Sequence, residues 1–414
     1  MVKGFVFALK FYSERFLAFF IRVFVPMRGS KVLLVQAGGL GDMAVATAVL
    51  KNYQRYFGEG NVYIVTHLQN QARNVLGSRF AGRVIEIDQG RFKRNPLYAA
   101  KNVIRLRKIG FGTVIYNITN PISLCHSSFF IAGLDARQTV GYEGERFYLD
   151  VGRKENPYHR FLIKFMLPKI LDSFSFVVPS MPASLRDGGI LPSAIAHQKK
   201  ILEDFTGRKF DDYSTEAYFD GSKAGEGSGK MPKEKFFICH LGAGHHKLRW
   251  PVERYVGVSK MIEKEFGLVP VLTGMSAEEG LAERYLREIP DAISFVGKTD
   301  FSDLEGLIKG SSLVISNDTG MVHLAVALKK PSFCILGAGE VGRLSHYGYQ
   351  DINRWIYDRN AGCFLDNFRC GNNAKDLYPC IDSITEQMVE KELEKFLRRL
   401  LLTKDVPREA FCYQ

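Results

Sequence analysis

Short runs of apolar and β-branched residues alternate with longer helical patterns from Lys31 onward. The first series of strand-like runs covers residues 32–38, 61–67, 83–88 and 113–118, and a helical pattern covers 43–57. Parallel strands need a crossover between them, and a helix of this length supplies one. The pattern therefore predicts an α/β unit with a parallel sheet.

A second series of the same kind begins at Phe236. Its strand-like runs cover residues 236–242, 268–274, 292–297, 312–318 and 331–337, and its helical patterns cover 252–266, 277–288, 301–309 and 320–328. This series predicts a second doubly wound unit.

A Gly-, Ser- and Lys-rich stretch separates the two series. Residues 221–235 lack apolar periodicity, as an inter-domain linker does. We therefore expect an N-terminal Rossmann-like domain over 29–220, a C-terminal one over 236–402 and a tail over 403–414. Two such domains are expected to hold ligands in a cleft at the carboxyl ends of their strands.

The first 28 residues form an amphipathic helical pattern. Phe-rich residues cover one side, whereas Lys3, Lys10 and Glu14 cluster on the other. The longest uncharged run is too short for a bilayer span or a secretory signal. Two interpretations of residues 1–28 stay open: a helix lying in the headgroup plane of a membrane, or a helix packed on the protein itself.

The charge of the chain is uneven. Its 414 residues are 46% hydrophobic and 24% charged, with a net charge of +12, which is a globular composition. Residues 1–110 hold 18 Lys and Arg against 5 Asp and Glu, whereas residues 111–414 hold 38 against 39. A basic region favours an anionic partner. Its confinement to one end, without a recognisable nucleic-acid-binding motif, argues against nucleic acid.

The seven cysteines are too sparse for a secreted disulfide framework, which favours a reducing cytosol. Cys363, Cys370 and Cys380 match no compact zinc spacing. We therefore expect buried thiols there, and no metal site.

A glycine turn follows the first predicted strand. Gly39 and Gly41 permit close approach of the backbone to a ligand, and a helix N-terminus favours anions. The turn loosely fits a dinucleotide-binding pattern, but the second strand ends without the acidic residue that would hold a ribose. Asp42 opens the helix either as its N-cap or as a general base.

The second motif follows the first strand of the second series. Gly242 and Gly244 lie in a small-residue turn, and Lys247 and Arg249 follow. Backbone amides and cations in such a turn suit a phosphate or pyrophosphate. The adjacent histidines are expected in a solvated loop.

The third motif joins a strand end to an apolar helix. Asn317 or Asp318 is expected to cap the helix. The amides of Thr319 and Gly320 then form an anion site, to which His323 adds a donor. A lone His at such a position is more often a satisfied core residue, but the strand end, caps and glycine around His323 favour the anion site.

Together and in this order, the three motifs resemble glycosyltransferase family 9, the ADP-heptose:lipopolysaccharide heptosyltransferases, from about residue 31 to 400. The resemblance rests on Leu40-Gly41-Asp42, on Arg249-Trp250-Pro251, and most specifically on Asn317-Asp318-Thr319-Gly320 with His323. The family usually has Lys two residues before the Trp, where this chain has Leu248. Which of Lys247 and Arg249 faces the phosphates therefore stays open.

The resemblance implies a GT-B fold with the nucleotide sugar on the C-terminal domain and the acceptor on the N-terminal one. It implies Asp42 as general base, Glu278 on the nucleotide ribose, and a phosphate site formed by the second and third motifs. The sequence contains no Asp-x-Asp triplet, in keeping with a metal-independent enzyme without a cofactor.

The implied function is inverting transfer of a heptose or similar sugar from an ADP-sugar to a lipopolysaccharide core or related surface glycan. With the basic first 110 residues, it implies a phosphorylated glycolipid acceptor and a cytoplasmic protein, peripheral on the inner face of the membrane through residues 1–28. A non-catalytic GT-B scaffold stays open as an alternative, and a nicotinamide oxidoreductase is disfavoured.

Overall fold

The computed structural model divides into two compact units. It describes residues 2–36, 38–67, 71–118, 127–143, 161–181, 193–217, 231–343, 345, 349, 351–364 and 376–402. Unit 1 comprises residues 1–187 and 194–213, and unit 2 comprises 188–193 and 214–414. The predicted linker before Met231 and the predicted tail lie outside the described residues.

Unit 1 is built on a six-stranded parallel sheet in the order β3-β2-β1-β4-β5-β6. Its strands are β1 (Lys31–Gln36), β2 (Val62–Thr66), β3 (Val84–Glu86), β4 (Phe111–Asn117), β5 (Gln138–Tyr142) and β6 (Phe176–Val178). The central strands are buried along nearly their whole length, which explains their continuous apolar runs.

The helices of unit 1 cover this sheet. They are α1 (Val2–Phe24), α2 (Leu40–Phe57), α3 (Gln71–Leu76), α4 (Gln89–Arg94), α5 (Pro96–Ile109), α6 (Ser128–Leu134), a π-helical turn (Leu162–Met166) that continues as α7 (Leu167–Leu171), and α8 (Ala194–Thr206). Asn95 caps α5, since its side chain accepts a hydrogen bond from the Tyr98 N–H at 3.0 Å. Gly110 then ends that helix in the left-handed region.

Unit 2 repeats the same topology. Its sheet has the order β12-β11-β10-β7-β8-β9, all parallel, from β7 (Phe236–His240), β8 (Val269–Thr273), β9 (Ile293–Ser294), β10 (Val314–Asn317), β11 (Ser332–Ile335) and β12 (Asn353–Ile356). Its helices are α9 (Val252–Phe266), α10 (Glu279–Glu288), α11 (Phe301–Gly310), α12 (Gly320–Ala327), α13 (Pro379–Asp382) and α14 (Glu386–Leu402). The prediction of two doubly wound parallel sheets is confirmed.

The first helix is packed on unit 1 and exposed on its other side. Ala18 and Ile21 of α1 belong to the core of unit 1, whereas Phe16 and Val23 point outward. The packing of this helix on the protein is therefore observed, whereas its position in the headgroup plane of a membrane stays a prediction. Within the described part of the chain, no helix is long and apolar enough to cross a membrane.

Candidate functional site

Asn317 ties the two polar motifs of unit 2 together. It is the last residue of β10, and its buried side chain accepts a hydrogen bond from the Trp250 N–H at 3.0 Å. Its Nδ2 donates to the carbonyls of Gly242 at 2.7 Å and Leu241 at 3.2 Å. The loop after β7 is therefore fixed against the end of β10, the adjacent strand of the sheet.

The cap of α12 differs from the prediction. Thr319 is the N-cap residue, and its Oγ1 accepts a hydrogen bond from the Met321 N–H. Neither Asn317 nor Asp318 caps the helix, because β10 extends through Asn317 and places that side chain in the loop network. Gly320 is the first helical residue, so its amide lies in the first turn, where N–H groups point away from the helix.

His323 lies one turn into α12 and is paired with Asp318. Its Nε2 is 3.1 Å from Asp318 Oδ1. The imidazole is almost wholly buried, and the carboxylate is partly exposed. Since its Nε2 is engaged by a carboxylate, the role of His323 as an anion donor stays a prediction.

Glu278 occupies the space that two glycines leave open. Its carboxylate accepts a hydrogen bond from the Met275 N–H at 2.9 Å. A Cβ atom at Gly242 would stand 1.8 Å from Glu278 Oε1, and one at Gly274 would stand 2.6 Å from Oε2. The absence of side chains at these positions is thus what brings this carboxylate to the carboxyl edge of the sheet.

The basic loop after β7 carries two differently placed cations. Lys247 lies in a short 3-10 turn. The backbone carbonyl of Lys247 accepts a hydrogen bond from the Tyr378 N–H at 3.0 Å, which fixes the turn. Arg249 is partly buried, and its Nε has no hydrogen-bond partner among the described residues. Gly244, between them and β7, is exposed with open space around it. Both side chains remain candidates for the phosphates.

The cysteines show no metal arrangement in the described part of the chain. Cys363 and Cys380 are buried free thiols, and Cys370 lies outside the described residues. No group of three or more potential metal ligands was found among those that the structure describes.

In unit 1, Asp42 lies at the start of α2, next to the glycine turn. The helix begins at Leu40 with Gly39 as its N-cap, so Asp42 is the third helical residue and not the N-cap. Its Oδ2 accepts a hydrogen bond from the Gly39 N–H at 2.8 Å. Gly38 has a φ of 114°, and a Cβ there would stand 2.5 Å from the Asp42 side chain. The turn therefore needs glycine at this position.

A pocket opens at the carboxyl edge of the unit 1 sheet. Its polar lining comes from the ends of strands and from α4: Gln36, Thr66, His67, Gln89, Lys93 and Ser127. Apolar side chains such as Phe92 and Phe130 complete it. In open parallel sheets, ligands bind at this edge.

The electrostatics of the pocket connect it to Asp42. Burial lowers the pKa of His67, and the neighbouring Lys93 cation lowers it further, whereas the Asp42 carboxylate acts in the opposite direction. Asp42, His67 and Lys93 therefore share one local field. We expect His67 to be neutral at pH 7.

Two of these features had no counterpart in the sequence-based expectations. The first is Asn317 as a link between motifs, since its side chain was expected to cap α12. The second is the pocket with Lys93. Its signal in the sequence is the run of residues 89–117, which holds seven Lys and Arg and no Asp or Glu.

Comparison with known proteins finds one family. The model of glycosyltransferase family 9 (heptosyltransferase) matches residues 192–369. The lipopolysaccharide heptosyltransferase 1 of Campylobacter coli is 29% identical over 169 residues, which is 38% of this chain and 45% of that protein. The lipooligosaccharide heptosyltransferase 2 of Haemophilus influenzae is 27% identical over 94 residues, which is 22% of this chain and 27% of that protein. The chain thus aligns with less than half the length of these curated relatives.

Solved structures extend the likeness of fold to both units. The ADP-heptose lipopolysaccharide heptosyltransferase II of E. coli superposes with a TM-score of 0.60 at 16% identity, covering 89% of this chain and 99% of that one. A family 9 glycosyltransferase from Veillonella parvula gives 0.62 at 15% identity, covering 89% and 97%. The fold is therefore GT-B. The family model, the curated relatives and the motifs described above together support glycosyltransferase family 9, the heptosyltransferase family, with the model match confined to residues 192–369.

Proposed function

We propose that this protein is an inverting glycosyltransferase. It transfers a heptose or similar sugar from an ADP-sugar to a lipopolysaccharide core or a related surface glycan. The observation that carries this proposal is the polar edge of the unit 2 sheet, where Asn317 joins the loop after β7 to the start of α12. The family model matches the same region of the chain.

The pyrophosphate of the donor binds at this edge of unit 2. Amides of Thr319 and Gly320, His323, and Lys247 or Arg249 stabilise the negative charge that develops on the departing ADP. These groups take the role that a divalent cation has in other nucleotide-sugar sites, so the proposed enzyme is metal-independent.

The ribose of the donor binds Glu278. Its carboxylate fills the space that Gly242 and Gly274 leave open at the carboxyl edge of the sheet. Asp318 holds His323 in position through the 3.1 Å contact.

Asp42 acts as the general base. It takes the proton from an acceptor hydroxyl, whose oxygen then forms a bond to the anomeric carbon with inversion. The bond between that carbon and the pyrophosphate oxygen breaks, and ADP leaves with the electron pair. The transition state is oxocarbenium-like.

The acceptor is a phosphorylated glycolipid, and its sugar head binds the pocket beside Asp42. Lys93, His67 and Gln89 supply hydrogen-bond donors and one positive charge there. A glycolipid acceptor and a nucleotide-sugar donor meet at the cytoplasmic face of the inner membrane, so we place the protein there.

The test is Asp42→Asn, with ADP-heptose turnover as the measurement. Asparagine keeps an oxygen that can accept from the Gly39 N–H, so the turn is preserved while the base is lost. We expect turnover to fall by about 10²–10⁴, the usual contribution of a general base. Thermal unfolding and affinity for ADP are expected to stay at wild-type values.

Asp300→Asn is the matched control. Asp300 caps α11 by accepting from the Ser302 and Asp303 N–H groups, so its replacement tests a carboxylate with a capping role alone. Turnover of Asp42→Asn within about tenfold of wild type would exclude the general base. If ADP-heptose and ADP-, UDP- and GDP-hexoses all fail to stabilise the wild-type protein, the scaffold alternative is favoured.

A further inference from the structure

The first helix presents a continuous apolar row to solvent. Phe16, Phe19, Phe20, Val23 and Phe24 are between 42% and 76% exposed. The ring of Phe20 contacts those of Phe16 and Phe19 edge to face, with centroid distances of 4.9 Å and 5.7 Å. Exposed aromatic residues clustered on one helix face are uncommon on soluble proteins and mark an interaction surface.

The opposite face of the same helix is fixed to unit 1. Ala18 and Ile21 are 1% and 6% exposed. Arg22 forms an ion pair of 2.8 Å with Asp135, at the end of α6. The buried Arg107 of α5 donates to the carbonyl of Val25 and to those of residues 133–134. The exposed row is therefore held rigidly on the domain and does not hang on a flexible tether.

The N-terminal part of the described helix surface is anchored as well. Arg15 donates to Ser173 Oγ at 2.8 Å, and Lys169 donates to Tyr12 Oη at 2.8 Å. Phe165 lies one turn before Lys169 and is itself 52% exposed. The neighbouring helical segment thus also exposes an aromatic side chain.

A basic stripe lies on α5, which contacts α1. Lys101, Arg105 and Lys108 are exposed and lie three or four residues apart, so they share one side of the helix. Leu97, one turn earlier, is 80% exposed. The surrounding run of residues 89–117 contains no acidic residue.

We propose that these two helices form one docking surface for an anionic lipid bilayer. The aromatic row of α1 enters the headgroup region, and the basic stripe of α5 binds lipid phosphates. Aromatic residues beside cations are the combination that seats a helix in the membrane interface. Charge complementarity selects this occupant over a second copy of the chain, which would bring one basic stripe near another.

This inference rests on the proposed function only because a glycolipid acceptor gives the protein a reason to bind a membrane. Lipid binding itself is measured without any sugar. Deleting residues 1–28 is a poor test, since Ala18 and Ile21 would leave the core of unit 1. Substitution of the exposed side chains avoids this problem, because they contribute little to that core.

The experiment measures binding of the full chain to vesicles of phosphatidylcholine alone and of phosphatidylcholine with phosphatidylglycerol. Two triple variants are compared with wild type: Phe16→Gln/Phe19→Gln/Phe24→Gln, and Lys101→Gln/Arg105→Gln/Lys108→Gln. Lys264→Gln/Arg287→Gln/Lys298→Gln removes the same charge from exposed positions of unit 2 and serves as the control. Thermal unfolding and ADP binding verify that each variant is folded.

Wild type is expected to bind the anionic vesicles and to be released by salt. Because each basic residue near such a surface contributes roughly a fivefold factor, the α5 variant is expected to bind about a hundredfold more weakly. The aromatic variant is expected to lose at least about tenfold, and the unit 2 control to bind like wild type. Equal binding by wild type and the aromatic variant would overturn the proposal. So would a wild-type dimer that ignores vesicles and becomes monomeric in that variant. A wild-type protein that binds anionic vesicles but does not turn over ADP-heptose would contradict the proposed function and would leave the membrane surface supported.

Discussion

The two sheets have the same strand order, but their carboxyl edges are built differently. β4 and β10 occupy equivalent places, each beside the first strand of its unit, and each ends on a buried asparagine. Asn317 makes hydrogen bonds to three backbone groups of the neighbouring loop. The Asn117 amide donates to Gln36 at 2.6 Å, and its Oδ1 is buried without a partner among the described residues.

This difference separates a closed edge from an open one. In unit 2, backbone and side chains are interlocked, so the groups proposed for the pyrophosphate are in place before a ligand arrives. In unit 1, the same edge holds an open pocket near a carboxylate and a cation. Under the proposed function, one topology thus carries a preformed donor site in unit 2 and an open acceptor pocket in unit 1.

Replacing the two asparagines gives the largest expected difference in stability. Asn317→Ala leaves the Trp250 N–H and two carbonyls without this partner, so we expect a loss of about 3–5 kcal/mol. Asn117→Ala removes one hydrogen bond and one orphaned oxygen, so we expect about 1 kcal/mol. Both tryptophans of the chain, Trp250 and Trp355, lie in unit 2, so their fluorescence during urea unfolding reports that unit. Circular dichroism follows both units.

The expected outcome is an early fluorescence transition in the Asn317 variant and a nearly unchanged one in the Asn117 variant. Equal losses in the two variants would show that the edges are equally tied and would remove the basis of the comparison.

The next effect concerns the donor site and a single methyl group. In Gly242→Ala the new Cβ conflicts with Glu278 Oε1, so the carboxylate has to move away from its present position. Displacing a group in a well-packed site costs about 1–3 kcal/mol of stability. Because Glu278 is the group proposed to bind the ribose, we expect affinity for ADP to fall by about tenfold to a hundredfold. Isothermal titration calorimetry measures this directly.

Gly280→Ala is the matched control, because a Cβ there has open space around it and Gly280 is not among the residues proposed to bind the donor. If both variants bind ADP alike, Glu278 does not contribute to nucleotide binding.

The sequence predicted the sheets better than the contacts at their edges. Continuous apolar runs placed the central strands to within one or two residues, and α9 was predicted at its observed bounds, because burial on both faces leaves a strong pattern. Strands β5, β6 and β12 were not anticipated. The edge strands β6 and β12 have three and four residues, too few for a pattern to stand out from a loop.

The site residues show a different limit. Four consecutive residues, Ser316 to Thr319, can all cap a helix, and only the end of β10 decides that Thr319 does so. The identity of Asp42 and its place after a glycine turn were readable from the sequence. The electrostatic interaction of Asp42 with His67 and Lys93 could not be predicted from the sequence, since these side chains come from separate elements that meet only in the folded sheet.

The smallest expected effect is on the pKa of His67, and it tests whether the unit 1 edge has the shared field described above. Burial and the Lys93 cation both lower this pKa, and Asp42 opposes them. Lys93→Gln is therefore expected to raise the pKa of His67 toward its ordinary value, and Asp42→Asn to lower it further. NMR titration of the imidazole measures both shifts, with Arg94→Gln as a control on the adjacent exposed residue.

The lowered pKa of His67 also makes the stability of the folded protein depend on pH. The unfolded chain takes up the proton first as pH falls below the ordinary pKa, so the folded protein loses stability until the pH reaches the lowered pKa. Because Lys93→Gln raises the pKa of His67 in the folded protein, it narrows the pH range over which stability is lost. If neither substitution changes the pKa of His67, the pocket and Asp42 are electrostatically independent. The pocket and the Asp42 carboxylate would then be two separate features of the unit 1 edge.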